Sequence, residues 1–447
     1  MKPLTSALGL VLAMLVASAA AGSGSRPAIS FGGPRNSRLG GSPNAIAVAD
    51  LNADRHVDLA VANGRHTVSV LLNERHGRLR TRHDYRTGRG PFSVAIGDVN
   101  GDRKPDLVVA NNQGWTISVL LNRGAGRYGP RQDYSTGPEP VDVAVVDVNG
   151  DRLPDLVTSN YGDENSDNSP ATISVLPGSG GGRFGTRIDY PAPDQPLSLA
   201  AGDLNNDGKP DLAVVDEPGV SVFLNTGSGF EAPRNYKGYG ASVAVADINR
   251  DSKPDLVTNG ISVLLNHGDG SFGTRNYDVG YSQGLAVGDV NHDRFPDVVF
   301  GEPISPNQED CDTGDGISVY VVVNKRLGKL GRPLEFSTGY DGCAPLPALG
   351  DVGGDGLRDI LTANTGSKSV SVLVNAFGRC AVPLMTDSFV SLVAAKRMLQ
   401  RAGCSLGSVR YAYSRAGSGA VISEHPGWGA VLRKGGKVNL VVSKRRG

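Results

Sequence analysis

Short apolar runs recur along the chain, and turns rich in glycine or aspartate bound each run. In a representative copy, an apolar run at 92–97 enters a polar loop, a second run at 107–111 leaves it, and a third follows at 116–122. A glycine turn then leads into an aromatic-bearing segment at 128–134. Apolar runs of this length between turn residues predict β-strands. The pattern therefore predicts units of four short strands, with helical periodicity only near the C-terminus.

The polar loop is a nine-residue segment with oxygen-bearing side chains at positions 1, 3, 5 and 9. It occurs seven times, and its first aspartates are 48, 49, 56, 44, 42 and 62 residues apart. Four strands in every repeat of about 40–50 residues are typical of a propeller blade. We therefore predict an all-β fold that contains a seven-bladed β-propeller.

The spacing of the loop side chains fits a calcium ion. Ca²⁺ binds six to eight oxygen atoms at about 2.3–2.6 Å, and alternate residues of a tight turn can point at one ion. An EF-hand would need a glutamate at position 12 between helices, but position 12 lies in a strand-like run in every copy. We predict up to seven mainly structural Ca²⁺ ions, whose ligands are Asp50, Asn52, Asp54 and Asp58; Asp98, Asn100, Asp102 and Asp106; Asp147, Asn149, Asp151 and Asp155; Asp203, Asn205, Asp207 and Asp211; Asp247, Asn249, Asp251 and Asp255; Asp289, Asn291, Asp293 and Asp297; and Asp351, Asp355 and Asp359. Position 3 of the last copy is Gly353.

Two other roles for these carboxylates stay open, namely a metal-dependent ligand site and catalysis. Seven nearly identical copies argue against catalysis, because an active site is normally built once. The seven histidines are scattered on turns without metal or triad spacing. No nucleophile motif of the G-x-S-x-G kind occurs between a strand and a helix. The sequence therefore favours a protein that is not an enzyme.

The first 21 residues have the pattern of a secretory signal. Lys2 gives a positive start, the stretch Leu4–Val16 is mostly apolar, and small residues at 17–21 offer a cleavage site. The apolar stretch is shorter than the ~20 residues that span a bilayer. We predict export to the extracellular space, possible attachment to the cell wall, and no transmembrane segment after cleavage.

The formal net charge is zero, but the charge is unevenly distributed. Residues 379–447 contain 12 lysines and arginines against 2 acidic residues, and the rest of the chain is correspondingly acidic. The loop aspartates supply 21 of those acidic residues, so seven bound calcium ions would turn that part of the chain slightly positive. The basic C-terminal part favours an anionic partner, and in an exported protein that is an envelope polymer before a nucleic acid.

The D-x-N-x-D-x-x-x-D-L loops and the Phe-Gly steps at 184–185 and 272–273 resemble the FG-GAP/VCBS repeats of integrin α-like β-propellers. The resemblance covers residues 29–376, within a predicted propeller domain at 22–376. It implies that each loop binds calcium between the first two strands of a blade. At position 6, where the family prefers glycine, five copies have another residue: Arg55, Arg103, Arg152, Ser252 and Arg294.

The two ends of the propeller domain are expected to meet. The seventh repeat stops after its third strand at Asn375, and the segment 29–35 has the pattern of a fourth strand without a repeat before it. We predict that this segment completes the seventh blade and removes an exposed sheet edge. A linker that follows the signal is the alternative.

Four cysteines in an exported protein allow three disulfide pairings. Connections within blades place the insertion at 302–316, which contains Cys311, on the face opposite the aspartate loops. Cys343 lies on the same face, in the segment that enters the seventh blade. We therefore predict the pair Cys311–Cys343, which leaves Cys380 to pair with Cys404.

The pattern of residues 379–447 predicts a separate small α+β module. It has a short strand at Cys380, helical periodicity over 389–402, and strand-like runs at 409–413, 420–424 and 437–443. Val382-Pro383, the helix, Gly403 and the final strand resemble a PASTA domain, the module found on bacterial penicillin-binding proteins and serine/threonine kinases. The resemblance implies an association with peptidoglycan.

Together these observations predict a secreted or cell-wall-associated, calcium-stabilised binding or adhesion protein. Its tail would engage peptidoglycan or another anionic envelope polymer, and its propeller would bind a protein or glycan through the face that carries the insertions at 161–170 and 302–316. The alternative is a secreted carbohydrate-active enzyme or lectin that uses acidic residues of the same face. A third possibility is a structural spacer without a ligand.

Overall fold

The computed structural model describes residues 29–64, 66–74, 77–163, 169–216, 219–238, 240–277, 282, 284–301, 318–326, 328–338, 346–383, 385–386, 390–414, 418–428 and 430–444. The predicted signal segment and the predicted Cys311–Cys343 disulfide lie outside these residues.

Within the described ranges, seven four-stranded antiparallel sheets follow one another along the chain. In each sheet the strands are hydrogen-bonded in the order first, second, third and fourth. The first strand is the one that precedes the aspartate loop, and the second is the one that follows it. The strands are Pro43–Ala49, Asp58–Asn63, Thr67–Asn73 and Leu79–Arg86 in sheet 1; Pro91–Gly97, Asp106–Asn111, Thr116–Leu120 and Gln132–Ser135 in sheet 2; Pro140–Val146, Asp155–Asn160, Thr172–Leu176 and Ile188–Pro191 in sheet 3; Ser198–Gly202, Asp211–Asp216, Gly219–Phe223 and Arg234–Lys237 in sheet 4; Val243–Ala246, Asp255–Thr258, Ser262–Asn266 and Phe272–Asn276 in sheet 5; Leu285–Gly288, Asp297–Gly301, Ser318–Asn324 and Leu330–Ser337 in sheet 6; and Leu346–Gly350, Asp359–Asn364, Ser369–Leu373 and Arg35–Arg38 in sheet 7.

The core lies between neighbouring sheets. The second strand of each sheet is buried along its length, because both of its faces pack against adjoining sheets. The outer strand Leu79–Arg86, by contrast, alternates between half-buried and exposed positions. Seven hydrophobic clusters of the described residues each combine side chains of two adjacent sheets, and one of them joins sheet 7 to sheet 1. The first strands contact one another in the same cyclic order. The sheets therefore form a closed ring, as in a β-propeller.

The N-terminal segment closes the ring. Arg35–Arg38 pairs antiparallel with Ser369–Leu373, and Phe31 forms an isolated bridge to Asn375. The prediction that this segment supplies the fourth strand of the seventh unit is confirmed, although the strand itself begins at the end of the predicted range 29–35. Phe31 also packs edge-on against Phe336, with 4.9 Å between the ring centroids.

The C-terminal part has a small core of its own. The strand Cys380–Ala381 pairs with Val431–Leu432, and Lys437–Lys444 lies between Ser405–Tyr413, which is parallel to it, and Val421–His425, which is antiparallel. The helix Leu392–Arg401 is shorter than the predicted range 389–402, because the Ser391 hydroxyl caps its N-terminus by accepting a hydrogen bond from the Ala394 N–H.

The predicted disulfide between Cys380 and Cys404 is present and connects the first strand to the segment after the helix. The remaining short elements are a ribbon of Gly178–Gly180 with Arg183–Phe184 and a 3₁₀ turn at Asn112–Gly114. Of the helices that the described residues form, none has the length and apolar character needed to cross a bilayer.

Candidate metal sites and the joints between sheets

The seven aspartate loops all connect a first strand to a second strand, so they lie at one end of the ring. In every copy, the aspartate at position 9 is the first residue of the second strand and is completely buried. Asp58 is representative. Its Oδ2 accepts the N–H of Leu51 at 3.0 Å, and its Oδ1 accepts the N–H of Asn73, at the end of the third strand, at 2.8 Å.

Equivalent pairs of hydrogen bonds recur in the next five loops, and in the seventh the N–H of Gly353, at position 3, takes the place of the position-2 N–H. The position-9 aspartate therefore ties its loop to the third strand, a role that the sequence analysis did not assign.

The aspartate at position 1 closes the loop on itself. Asp98 Oδ1 accepts the N–H of Asp102 at 3.1 Å, and its Oδ2 accepts the N–H of Arg103, at position 6, at 2.7 Å. This turn requires left-handed backbone at positions 4 and 6, and both have positive φ in all seven loops. Arg103 has φ of 64°. The preference for glycine at position 6 thus has a steric cause, since a side chain disfavours this conformation.

Side chains at positions 3, 5 and 9 face a common space. Asn149 Nδ2 lies 3.1 Å from Asp151 Oδ2 and 3.5 Å from Asp155 Oδ1. Such an all-oxygen set, once the amide presents its oxygen, suits a hard cation such as Ca²⁺. However, the carboxylates in the described ranges are engaged with loop N–H groups, and no group of three or more His, Cys, Asp or Glu side chains there is already arranged to hold a metal ion. The residues fit calcium chemically, and the calcium prediction stays a prediction.

Electrostatics of the loops favour a compensating cation. Burial raises the pKa of Asp58, Asp106 and Asp255 to about 6 and that of Asp297 and Asp359 to about 7. Repulsion from the carboxylates at positions 1 and 5 raises these values further, against the lowering effect of the backbone N–H donors. A divalent ion would offset both the burial and the repulsion.

A second repeated feature, which the sequence analysis missed, joins neighbouring sheets. Asn266, at the end of a third strand, is buried, and its Nδ2 donates to the Leu204 carbonyl in the loop of the preceding sheet at 2.8 Å. The same amide donates to the Pro254 carbonyl of its own loop at 2.7 Å, and its Oδ1 accepts the Gly268 N–H at 2.7 Å. We call this arrangement the asparagine clamp. The recurrence of asparagine at the end of the third apolar run was its signal in the sequence.

Clamps at six of the seven joints follow the same rule, in which the amide reaches the carbonyl at loop position 2 of the preceding sheet. The clamping residues are Asn73, Asn122, Asn225, Asn266, Asn324 and Asn375.

The joint between sheets 2 and 3 is the exception. Gly178 occupies the equivalent position, and its N–H donates to Asp155 Oδ1 at 2.7 Å as the clamp residues do. It has no side chain to donate to the Val99 carbonyl in the loop of sheet 2. A Cβ at Gly178 would lie 2.4 Å from the Pro154 carbonyl oxygen, so the backbone approaches too closely for a side chain.

An additional, partly buried carboxylate lies among the innermost strands. Asp142 Oδ1 accepts the Ser93 hydroxyl of sheet 2 at 2.7 Å, and its Oδ2 accepts the Ser198 hydroxyl of sheet 4 at 3.0 Å. Burial raises the pKa of Asp142. This group bridges three consecutive sheets. The acidic insertion at 302–316 and residues 164–168 of the other insertion, both predicted to lie on the opposite face, are outside the described residues.

Comparison with known proteins supports this architecture. The FG-GAP-like repeat family matches four segments, at 50–109, 98–158, 161–214 and 203–258. BBS1N, solved in complex with ARL6DN, is similar in structure, with a TM-score of 0.51 and 14% identity over 77% of this chain and 96% of that one. Virginiamycin B lyase from Staphylococcus aureus gives a TM-score of 0.50 and 11% identity over 77% and 99% of the two chains.

A lectin from Agrocybe aegerita, described as recognising non-reducing terminal N-acetylglucosamine, has a lower TM-score of 0.45 and 16% identity over 76% and 87% of the two chains. No curated protein sequence matches the chain. The chain thus carries four FG-GAP-like repeats, and its structural neighbours are β-propellers.

Proposed function

We propose that the protein is a secreted or cell-wall-associated, calcium-stabilised binding protein. It consists of a seven-bladed propeller at 22–376 and a PASTA-like tail at 379–447. The tail binds peptidoglycan or another anionic envelope polymer, and the propeller presents a surface to a protein or glycan. The repetition of one loop seven times supports a structural role for calcium rather than a single catalytic centre.

Calcium contributes to stability in this proposal. Extracellular calcium modules have Kd values near 10⁻⁴–10⁻³ M, so millimolar calcium stabilises the fold by about 1 kcal/mol per site. We expect a chelator to lower the urea denaturation midpoint of the full chain, and added calcium, but not magnesium, to restore it. A midpoint that is the same in calcium and in chelator would contradict the stabilising role.

The observation that carries the binding role is an exposed aromatic pair beside a lysine side chain in the tail. Tyr411 and Tyr413 are 58% and 57% exposed and lie two residues apart on the strand Ser405–Tyr413. Lys444 Nζ lies 4.6 Å from the centroid of the Tyr413 ring. Exposed aromatic faces offer apolar contact area, and neighbouring cations attract carboxylates and phosphates. An anionic glycan has both complementary features.

The test is a pelleting assay of the full chain with purified peptidoglycan sacculi at physiological salt. We expect the wild type to pellet, with or without calcium, and the Tyr411→Ala/Tyr413→Ala double variant to remain in solution. Trp115→Ala is the matched control, because Trp115 is an aromatic residue of the propeller that is also exposed, at 41%. A wild type that does not pellet overturns the wall-binding proposal, as does a double variant that pellets like the control.

A further inference from the structure

The seventh loop differs from the other six in its ligand set. Its position 3 is Gly353, where the other loops have asparagine, so one side-chain oxygen is missing. A Cβ at Gly353 would lie 3.3 Å from Asp359 Oδ2 and 3.4 Å from Asp355 Oδ2, so the space between these two carboxylates is one that a side chain fills in the other loops. The seventh loop is therefore the poorest candidate for calcium.

A cation from outside the loop occupies one of its carboxylates. Arg379 Nη1 lies 2.7 Å from Asp355 Oδ2, and only 12% of the Asp355 side chain is exposed. Arg379 is the first residue of the tail, directly before Cys380, which the disulfide ties to Cys404. The Arg379 N–H also donates to the Ala376 carbonyl at 2.8 Å, at the end of the propeller. The ion pair thus spans the point where the two parts of the chain meet.

Two other features place the tail and further positive charge at this site. Val431 of the tail packs against the hydrophobic cluster that joins sheets 7 and 1. Arg35, on the strand that closes sheet 7, interacts electrostatically with Asp359 of the same loop. A second arginine therefore lies near the carboxylates of the seventh loop.

Similar pairs in other loops show why this one is distinct. Lys104 lies 2.8 Å from Asp102, and Lys209 lies 3.2 Å from Asp207, each within its own loop. Both lysines are exposed at the surface, and exposed pairs of this kind contribute little and separate readily. Arg379 is exposed to a similar degree, at 39%, but its partner Asp355 is only 12% exposed, whereas Asp102 and Asp207 are 35% and 34% exposed, so the Arg379–Asp355 pair is the least solvated of the three.

We propose that the seventh loop is an interdomain clamp and not a calcium site: the Arg379 guanidinium takes the place of the ion at Asp355 and fixes the tail against sheet 7. This inference rests on the proposed calcium function only in its count of ions. The remaining six loops bind calcium, and the tail is held by charge at the seventh.

The test compares Arg379→Gln and Asp355→Asn with Lys104→Gln as the matched control, all in the full chain with circular dichroism to verify folding. Hydrogen–deuterium exchange is measured for the amides of residues 376–382 in calcium-containing buffer. We expect exchange there to accelerate at least tenfold in both clamp variants and to remain unchanged in the control. High salt accelerates it in the wild type, because it screens the pair.

Calcium titration by calorimetry supplies the second readout, with six ions expected for the wild type and for Lys104→Gln. Wild-type exchange rates in both clamp variants would overturn the proposal, as would a seventh calcium ion bound as tightly as the others. If no calcium binds to any loop, the proposed calcium function fails, while the exchange experiment still decides whether the clamp exists.

Discussion

Removal of one asparagine clamp tests how the sheets are held together. In an Asn266→Ala variant, the carbonyls of Leu204 and Pro254 and the N–H of Gly268 lose their side-chain partner. Each hydrogen bond lost at a buried position costs about 1 kcal/mol, and partial entry of water reduces the total, so we expect the free energy of unfolding to fall by roughly 2–4 kcal/mol. The backbone bond from Asn266 N–H to Asp255 is retained, so the strand itself should persist.

The measurement is urea denaturation of the full chain, followed by far-UV circular dichroism in calcium-containing buffer. Asn36→Ala is the control, because Asn36 lies at an exposed position of the strand Arg35–Arg38 and its loss should change stability by less than about 0.5 kcal/mol. Hydrogen exchange should also accelerate in the loop at 203–211, whose Leu204 carbonyl the clamp holds. The reasoning is refuted if Asn266→Ala is as stable as the control.

Three further predictions concern the loop turn, the innermost carboxylate and the tail. Arg103→Gly should stabilise the protein by roughly 0.5–1 kcal/mol, because Arg103 has φ of 64°; a lower denaturation midpoint would contradict this. Since burial raises the pKa of Asp142, the wild type loses stability as the pH rises above the ordinary aspartate range towards that raised value, whereas Asp142→Asn does not titrate. The stability of Asp142→Asn relative to the wild type should therefore increase as the pH rises above about 4, the ordinary aspartate pKa, and a constant difference would exclude this cause. Replacing Cys380 and Cys404, which are 24 residues apart, with serine should destabilise the tail by about 3 kcal/mol, and unchanged hydrogen exchange at 437–444 would show otherwise.

The sequence was sufficient to place most strands, because each consists of a short apolar run between turn residues. It also predicted ring closure by the N-terminal segment and the disulfide of the tail. The two hydrogen bonds by which each position-9 aspartate ties its loop to the third strand could not be predicted in this way. Spacing shows which side chains can converge, but not which backbone N–H groups face them. Asp58, for example, binds the N–H of Asn73, which is 15 residues away along the chain.

The ion pair between Arg379 and Asp355 was likewise outside the reach of the repeat pattern, because it joins the propeller to a segment with a different pattern. The sequence showed that Gly353 departs from the repeat. Its consequence for calcium binding depends on Arg379, which pairs with the neighbouring Asp355. The calcium prediction rests on residue type and spacing, and the structure adds the buried charge that an ion would offset. The conformational cost at position 6 became evident only from the backbone.

Because Gly178 forms no clamp, the seven joints of the ring are not equivalent. In a ring of seven equivalent joints none would separate in preference to the others, whereas here the joint between sheets 2 and 3 lacks a contact that the other six have. Sheets 2 and 3 are held instead by the Asp142–Ser93 hydrogen bond and by their shared hydrophobic cluster. If heat or mechanical force separates this joint first, the ring becomes an open arc with sheet 6 at its middle, and each of its six remaining joints keeps a clamp.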